Sequence, residues 1–68
     1  AEWQKLTTRE REILGYVAKG ESNKLIARHL NLAESTIKIH VQSILKKLNL
    51  TSRVQAAVHA VEKAWVQG

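Results

Sequence analysis

The chain has 68 residues, no cysteine and a formal net charge of +5 at pH 7. A chain this short makes one domain, which buries only about 60% of the surface its unfolded form exposes. Neither a disulfide nor a thiolate-held metal can reinforce it, and the lack of cysteine is compatible with a reducing cytoplasm, the expected location. No apolar run approaches the ~20 residues of a membrane span, and no signal-peptide pattern opens the chain. The opening AEWQ, without a Met, reads as the cut end of something longer.

The excess positive charge is concentrated. Residues 1–21 balance Lys5, Arg9, Arg11 and Lys19 against Glu2, Glu10, Glu12 and Glu21, and in residues 54–68 Lys63 cancels Glu62. Residues 22–53 set Lys24, Arg28, Lys38, Lys46, Lys47 and Arg53 against Glu34 alone. A polyanionic partner is favoured. An acidic membrane surface would call for a more hydrophobic, aromatic-flanked amphipathic helix.

Residues 1–5 read as the end of a linker, and residues 6–68 as the domain. Trp3 either docks on that domain or marks a disordered linker, and the sequence leaves both open. Thr7 and Glu10 have the spacing of a capping box, in which hydroxyl and carboxylate each take an early N–H. A first helix is expected over residues 8–19, with Ile13, Leu14, Val17 and Ala18 as its inner stripe and Lys19-Gly20 as its stop. Glu10 and Glu12 point to different faces of such a helix, which argues against paired acid–base carboxylates.

Ser22 is the next candidate cap, opening a second helix over residues 23–30 with Ile26, Ala27 and Leu30 inward. Asn23, Lys24 and Arg28 stay outside near its start, where free amides attract a phosphate. Asn31-Leu32-Ala33 makes a short connection in which Asn can take the left-handed turn.

A third helix is expected over residues 34–48. Ile37, Val41, Ile44, Leu45 and Leu48 fall at i, i+4, i+7, i+8 and i+11, a single inward stripe. At roughly 100° per residue, Ser35, Ile39, Gln42 and Lys46 face outward, with Lys38 and His40 on the flanks. The second and third helices, so closely joined, make a helix-turn-helix. Lys38, Lys46 and Lys47 could reach phosphates or purine acceptors, and Ile39 a thymine methyl. Two plainer readings stay open: an amphipathic helix with a solvated basic face, and a purely structural helical hairpin.

After Asn49-Leu50-Thr51, Ser52 and Gln55 repeat the capping-box spacing and start a fourth helix over residues 53–66. Val54, Ala57, Val58, Val61 and Trp65 are its expected core stripe. Ala56, Ala60 and Ala64, with Lys63 beside them, form a second strip narrow enough for a partner helix, although alanines are also simply good helix formers. The expected architecture is all-α, a compact four-helix bundle containing a helix-turn-helix, with no strand, repeat or low-complexity segment.

Taken together, LTTREREIL, G-x-SNKLIARHL, ESTIKIHVQSILKKL and SRVQAAV closely resemble the LuxR/FixJ-type helix-turn-helix family, and within it the NarL-like, nitrate-response branch. The resemblance covers Leu6 to about Val61. It implies the C-terminal effector domain of a two-component response regulator, with a phosphorylatable receiver domain on its N-terminal side. It implies double-stranded DNA as partner, the third helix in the major groove, and a two-fold dimer through the fourth helix on inverted half-sites. By position, Lys38, Ile39 and Gln42 would read bases. Ser22, Asn23, Lys24, Ser35, Thr36, His40, Lys46 and Lys47 would lie near the DNA backbone, and Ala56, Ala60, Lys63 and Ala64 would meet the second copy.

Two residues depart from the pattern. Ala33 stands where the family often caps the recognition helix with Ser or Thr, at a cost of about 1 kcal/mol of local stability. Gln42 stands where the nitrate-response branch has Lys, and a neutral Gln pairs bidentately with adenine rather than favouring guanine.

Two other readings compete. A sigma-factor region 4 also binds DNA while touching RNA polymerase, but its recognition helix usually ends the domain, whereas a capped fourth helix follows here. RNA polymerase is carried as a further candidate partner. The other reading is a protein-interaction module whose basic face meets an acidic protein. An enzyme is not expected, nor any metal or cofactor. His29, His40 and His59 lack metal-ligand spacing, and His40–Ser43 has no carboxylate nearby in sequence to orient it.

Overall fold

Each helix but one begins where a side chain takes up a free amide. The computed structural model describes residues 2–66; residue 1 of the expected linker and residues 67 and 68 of the expected domain lie outside them. A 3-10 turn, Glu2–Lys5, precedes α1 (Thr8–Ala18), α2 (Asn23–Leu30), α3 (Glu34–Leu48) and α4 (Arg53–Glu62). The described residues contain no strand.

At the head of α1 both halves of the capping box form: the Glu10 amide donates to Thr7 Oγ1 at 3.1 Å, and the Thr7 amide to Glu10 Oε1 at 2.8 Å. The helix stops one residue before the expected end. Gly20, at φ +82°, supplies the left-handed turn, and the Glu21 amide reaches back to the Tyr16 carbonyl. A side chain there would be strained. Ser22 caps α2 by accepting from the Leu25 amide at 3.2 Å. α3 starts at Ala33 with no side-chain cap, as the sequence requires. Asn31 and Asn49 close α2 and α3 in the left-handed conformation at φ 56° and 57°.

α4 departs from expectation twice at its ends. Ser52 caps it, but Gln55 Oε1 accepts from the amide and hydroxyl of Thr51, one residue further back than a capping box requires. The helix stops at Glu62 rather than residue 66. Ala64 turns left-handed at φ 59°, and the Trp65 amide donates to the Ala60 carbonyl at 2.9 Å.

Ile13, Leu14, Val17, Ile26, Ala27, Ile37, Val41, Ile44 and Leu48 form the core where α1, α2 and α3 meet, closed on one side by Leu6. These are the stripes read from the sequence, with Leu30 and Leu45 half-buried at the edges. Burying each large aliphatic side chain contributes about 1.5–3 kcal/mol.

α4, which packs chiefly on α1, is rotated from the expected phase: of its expected stripe Ala57 and Trp65 pack against the core, and the three valines do not. Ala56 and Ala60 are buried, while Val54, Val58 and Val61 are 69%, 51% and 45% exposed. Arg53 supplies the reason. Its guanidinium donates to Asn23 Oδ1 and, at 2.8 Å, to the Glu21 carbonyl, which pins the first residue of α4 to the start of α2. With Arg53 turned inward, residues three and seven further on fall inside. Methyl groups there let the α4 backbone come close, which valines would prevent.

The expected linker end also belongs to the folded body. Trp3 lies against Trp65 with ring centroids 5.2 Å apart, and its carbonyl accepts from Arg11 Nε at 3.2 Å.

Candidate nucleic-acid interface

The outward face of α3 carries Ser35, Lys38, Ile39, Gln42 and Lys46, all exposed, with Thr36 and His40 half-buried at its edges. The phase is fixed from behind, because Ile37, Val41, Ile44 and Leu48 are buried. Fifteen helical residues extend about 22 Å, ample for the width of a major groove. Ile39 is 65% exposed, an aliphatic side chain outside the hydrophobic core cluster.

Charge on this side is largely unpaired. Among the described residues, an ion pair joins Glu10 to Lys47, and Glu21 and Glu2 lie within hydrogen-bonding reach of His29 and His59. Lys24, Arg28, Lys38 and Lys46 take part in none of these contacts. A face of exposed, unneutralised cations beside short polar groups suits a phosphate backbone flanking readable base edges.

Lys47, expected near the DNA backbone beside Lys46, also has a partner within this chain. Its Nζ lies 2.7 Å from Glu10 Oε1, with the Ser43 hydroxyl donating to Glu10 Oε2 at 2.7 Å. Glu10 is buried at 3% exposure. Burial pushes its carboxyl up, but the Lys47 ammonium, the Thr7 amide and the Ser43 hydroxyl outweigh this and hold it down at about 2. Lys47 therefore ties α3 to α1, and the outer cation of the pair is Lys46.

At the start of α2, Ser22 is engaged as cap and Asn23 accepts from Arg53, so Lys24 supplies the free side chain there. The amides of Asn23 and Lys24 precede the first hydrogen-bonded turn and point toward the same end. Arg53 escaped the sequence reading. One signal was available: a basic residue in the first turn of a helix is opposed by the helix dipole, so another partner had to hold it.

The alanine strip is also corrected. Ala56 and Ala60 face this chain's own core, and Ala64 lies beyond the end of α4, leaving Lys63 as an exposed cap residue. The exposed apolar ridge is Val54, Val58 and Val61, with a shallow hollow of about 340 Å³ along one side lined by Leu50, Val54, Gln55, Val58, His59 and Glu62. No group of three or more His, Cys, Asp or Glu among the described residues could hold a metal ion. No helix among them is long and apolar enough to cross a membrane.

Fold and surface together define a helix-turn-helix domain. Residues 4–60 match the family model of bacterial regulatory proteins, luxR family. The nitrate/nitrite response regulator protein NarL of Escherichia coli K12 is 58% identical over 53 residues, covering 78% of this chain and 24% of that protein. NarP of the same strain is 44% identical over 62 residues, covering 91% of this chain and 29% of that protein. The solved structure of the transcription factor GerE superposes with a TM-score of 0.81 at 31% identity, covering 91% of this chain and 92% of the other. The chain belongs to the luxR family and is a DNA-binding helix-turn-helix domain of that type, related to transcriptional regulators rather than enzymes. The sigma-factor alternative falls with this match. The chain spans about a quarter of the length of the curated relatives it matches.

Proposed function

We propose that two copies of this domain bind an inverted repeat in double-stranded DNA, each laying α3 in the major groove. Lys38, Ile39 and Gln42 meet base edges. Ser35, Thr36, His40 and Lys46, with Ser22, Asn23 and Lys24 at the head of α2, follow the phosphates. The observation that carries this reading is the outward face of α3, where, among the described residues, Lys38 and Lys46 lack ion-pair partners beside an exposed Ile39.

Dimerisation runs through the valine ridge of α4 rather than its alanines. Two-fold antiparallel pairing sets Val54, Val58 and Val61 against their own copies, and brings the Glu62 end of one helix to the positively polarised start of the other. In the longer protein, residues 6–68 act in the cytoplasm as the C-terminal effector of a two-component response regulator. A receiver domain on the N-terminal side masks α3 until phosphorylation, and RNA polymerase is a further partner. This extends to the whole protein what NarL and NarP are named for.

Two substitutions test the base-reading assignment. Lys38→Ala is expected to cost about 1–3 kcal/mol on a bound sequence and to relax preference at one base position. Lys46→Ala is expected to weaken all sequences alike and to lower the salt slope by about one unit. A uniform loss for Lys38→Ala would reduce Lys38 to a backbone contact, and an unchanged slope would remove Lys46 from the interface.

A further inference from the structure

Among described residues with left-handed backbone, three are Gly20, Asn31 and Asn49, types that accept this conformation readily. The fourth is Ala64, whose Cβ opposes it. Nothing in Lys63-Ala64-Trp65-Val66 itself stops a helix, since the segment has no Gly, Pro or Asn. The interruption of α4 therefore has to be held by contacts outside the helix.

Those contacts converge on the N-terminal turn. Trp65 packs on Trp3, rings tilted by 35°, and meets the His59 ring edge-on at 5.2 Å. His59 Nε2 lies 3.0 Å from Glu2 Oε1. The Arg11 guanidinium sits 5.0 Å from the Trp3 ring while donating to the Trp3 carbonyl. The left-handed turn is what allows the His59–Trp65 contact, because in a continuous helix those two residues would lie about 120° apart.

A continuous helix would place Trp65 elsewhere. Val54, Val58, Val61 and Trp65 stand at i, i+4, i+7 and i+11, so the indole would extend the exposed valine ridge by one turn. We propose that Trp65 serves two surfaces: docked on Trp3 it closes the end of α4, and released it lengthens the ridge that receives a second copy of this chain. The segment Glu2–Lys5 thereby sets the strength of dimerisation. This rests on the α4 pairing given above. Trp3 and Trp65 both lie outside residues 4–60, the segment that the family model matches.

Sedimentation equilibrium of the 68-residue chain tests it. Trp3→Ala removes the docking partner and leaves the ridge intact, and is expected to lower the dimer dissociation constant about tenfold, because neither protomer then has to open. Ala64→Gly favours the closed turn and is expected to raise that constant. Val58→Glu is expected to abolish dimers in every background. The carbon chemical shifts of Ala64 are expected to move from left-handed to helical values in Trp3→Ala. An unchanged or weaker dimer in Trp3→Ala, or Ala64 still left-handed there, overturns the proposal, and Val58→Glu still abolishing dimers leaves α4 pairing standing. Dimers that survive Val58→Glu overturn both.

Discussion

α3 buries its large aliphatic side chains and presents short polar and basic ones, whereas α4 buries Ala56 and Ala60 and presents valines. Both begin at the same kind of turn, and both carry an apolar stripe at helical spacing. The difference lies in what each stripe is for. Ile37, Val41, Ile44 and Leu48 hold this chain together, and the reverse face of α3 is free for a polyanion. Val54, Val58 and Val61 contribute little to this chain and are available to another. A stripe at helical spacing marks a surface that will be covered, without saying whether its own chain does the covering.

Substitutions at matching depths of the two stripes break this comparison most directly. Ile44→Ala, at 1% exposure, is expected to cost about 2–5 kcal/mol in denaturant unfolding. Val58→Ala, at 51% exposure, is expected to shift monomer stability by no more than about 0.5 kcal/mol. A comparable loss at Val58 would place the ridge inside the core.

The next effect concerns the tie that keeps α3 in place. The Glu10 carboxyl stands at about 2 against 4.5 when free, so its contribution is complete above pH 4.5 and is lost as the pH falls toward 2. The shift corresponds to about 3 kcal/mol. Glu10→Gln is expected to lose about that much at neutral pH and to flatten the acid limb of a stability–pH profile. An acid limb as steep as that of the unaltered chain would mean that other carboxylates drive it. Lys47→Met is expected to destabilise the fold while leaving the salt slope of DNA binding near its original value, unlike Lys46→Ala.

A smaller effect is a gain. Gly15 lies in the interior of α1, and among the described residues outside its own helix a Cβ built there would meet Val66 Cγ1 alone, at 3.9 Å. Gly15→Ala is expected to stabilise the domain by about 0.5–1 kcal/mol, read as a raised denaturant midpoint. A loss would reveal crowding on that face.

Three of the four stripes were legible because large aliphatic residues alternate with charged ones at helical spacing, and that contrast sets the phase of a helix. The same contrast placed Ser35, Ile39, Gln42 and Lys46 outside. In α4 the contrast fails, since valines and alanines occupy opposite sides and local spacing cannot say which side packs. Rotation was decided by Arg53 reaching Asn23, thirty residues away in sequence. Pairings of that kind have no local periodicity, and the same holds for Lys47 with Glu10, 37 residues apart, and for Trp3 with Trp65. Local spacing therefore shows neither the Glu10 partner of Lys47 nor the Trp3 partner through which Trp65 packs at the edge of the core.

Selection of bound sequences from a random duplex pool at physiological salt tests the central claim, that the free face of α3 reads DNA in pairs. The account predicts an inverted repeat with fixed half-site spacing, with Val58→Glu recovering single half-sites at lower affinity. Recovery of no motif, with binding that disappears as salt rises, would contradict it and leave a basic surface suited to an acidic protein.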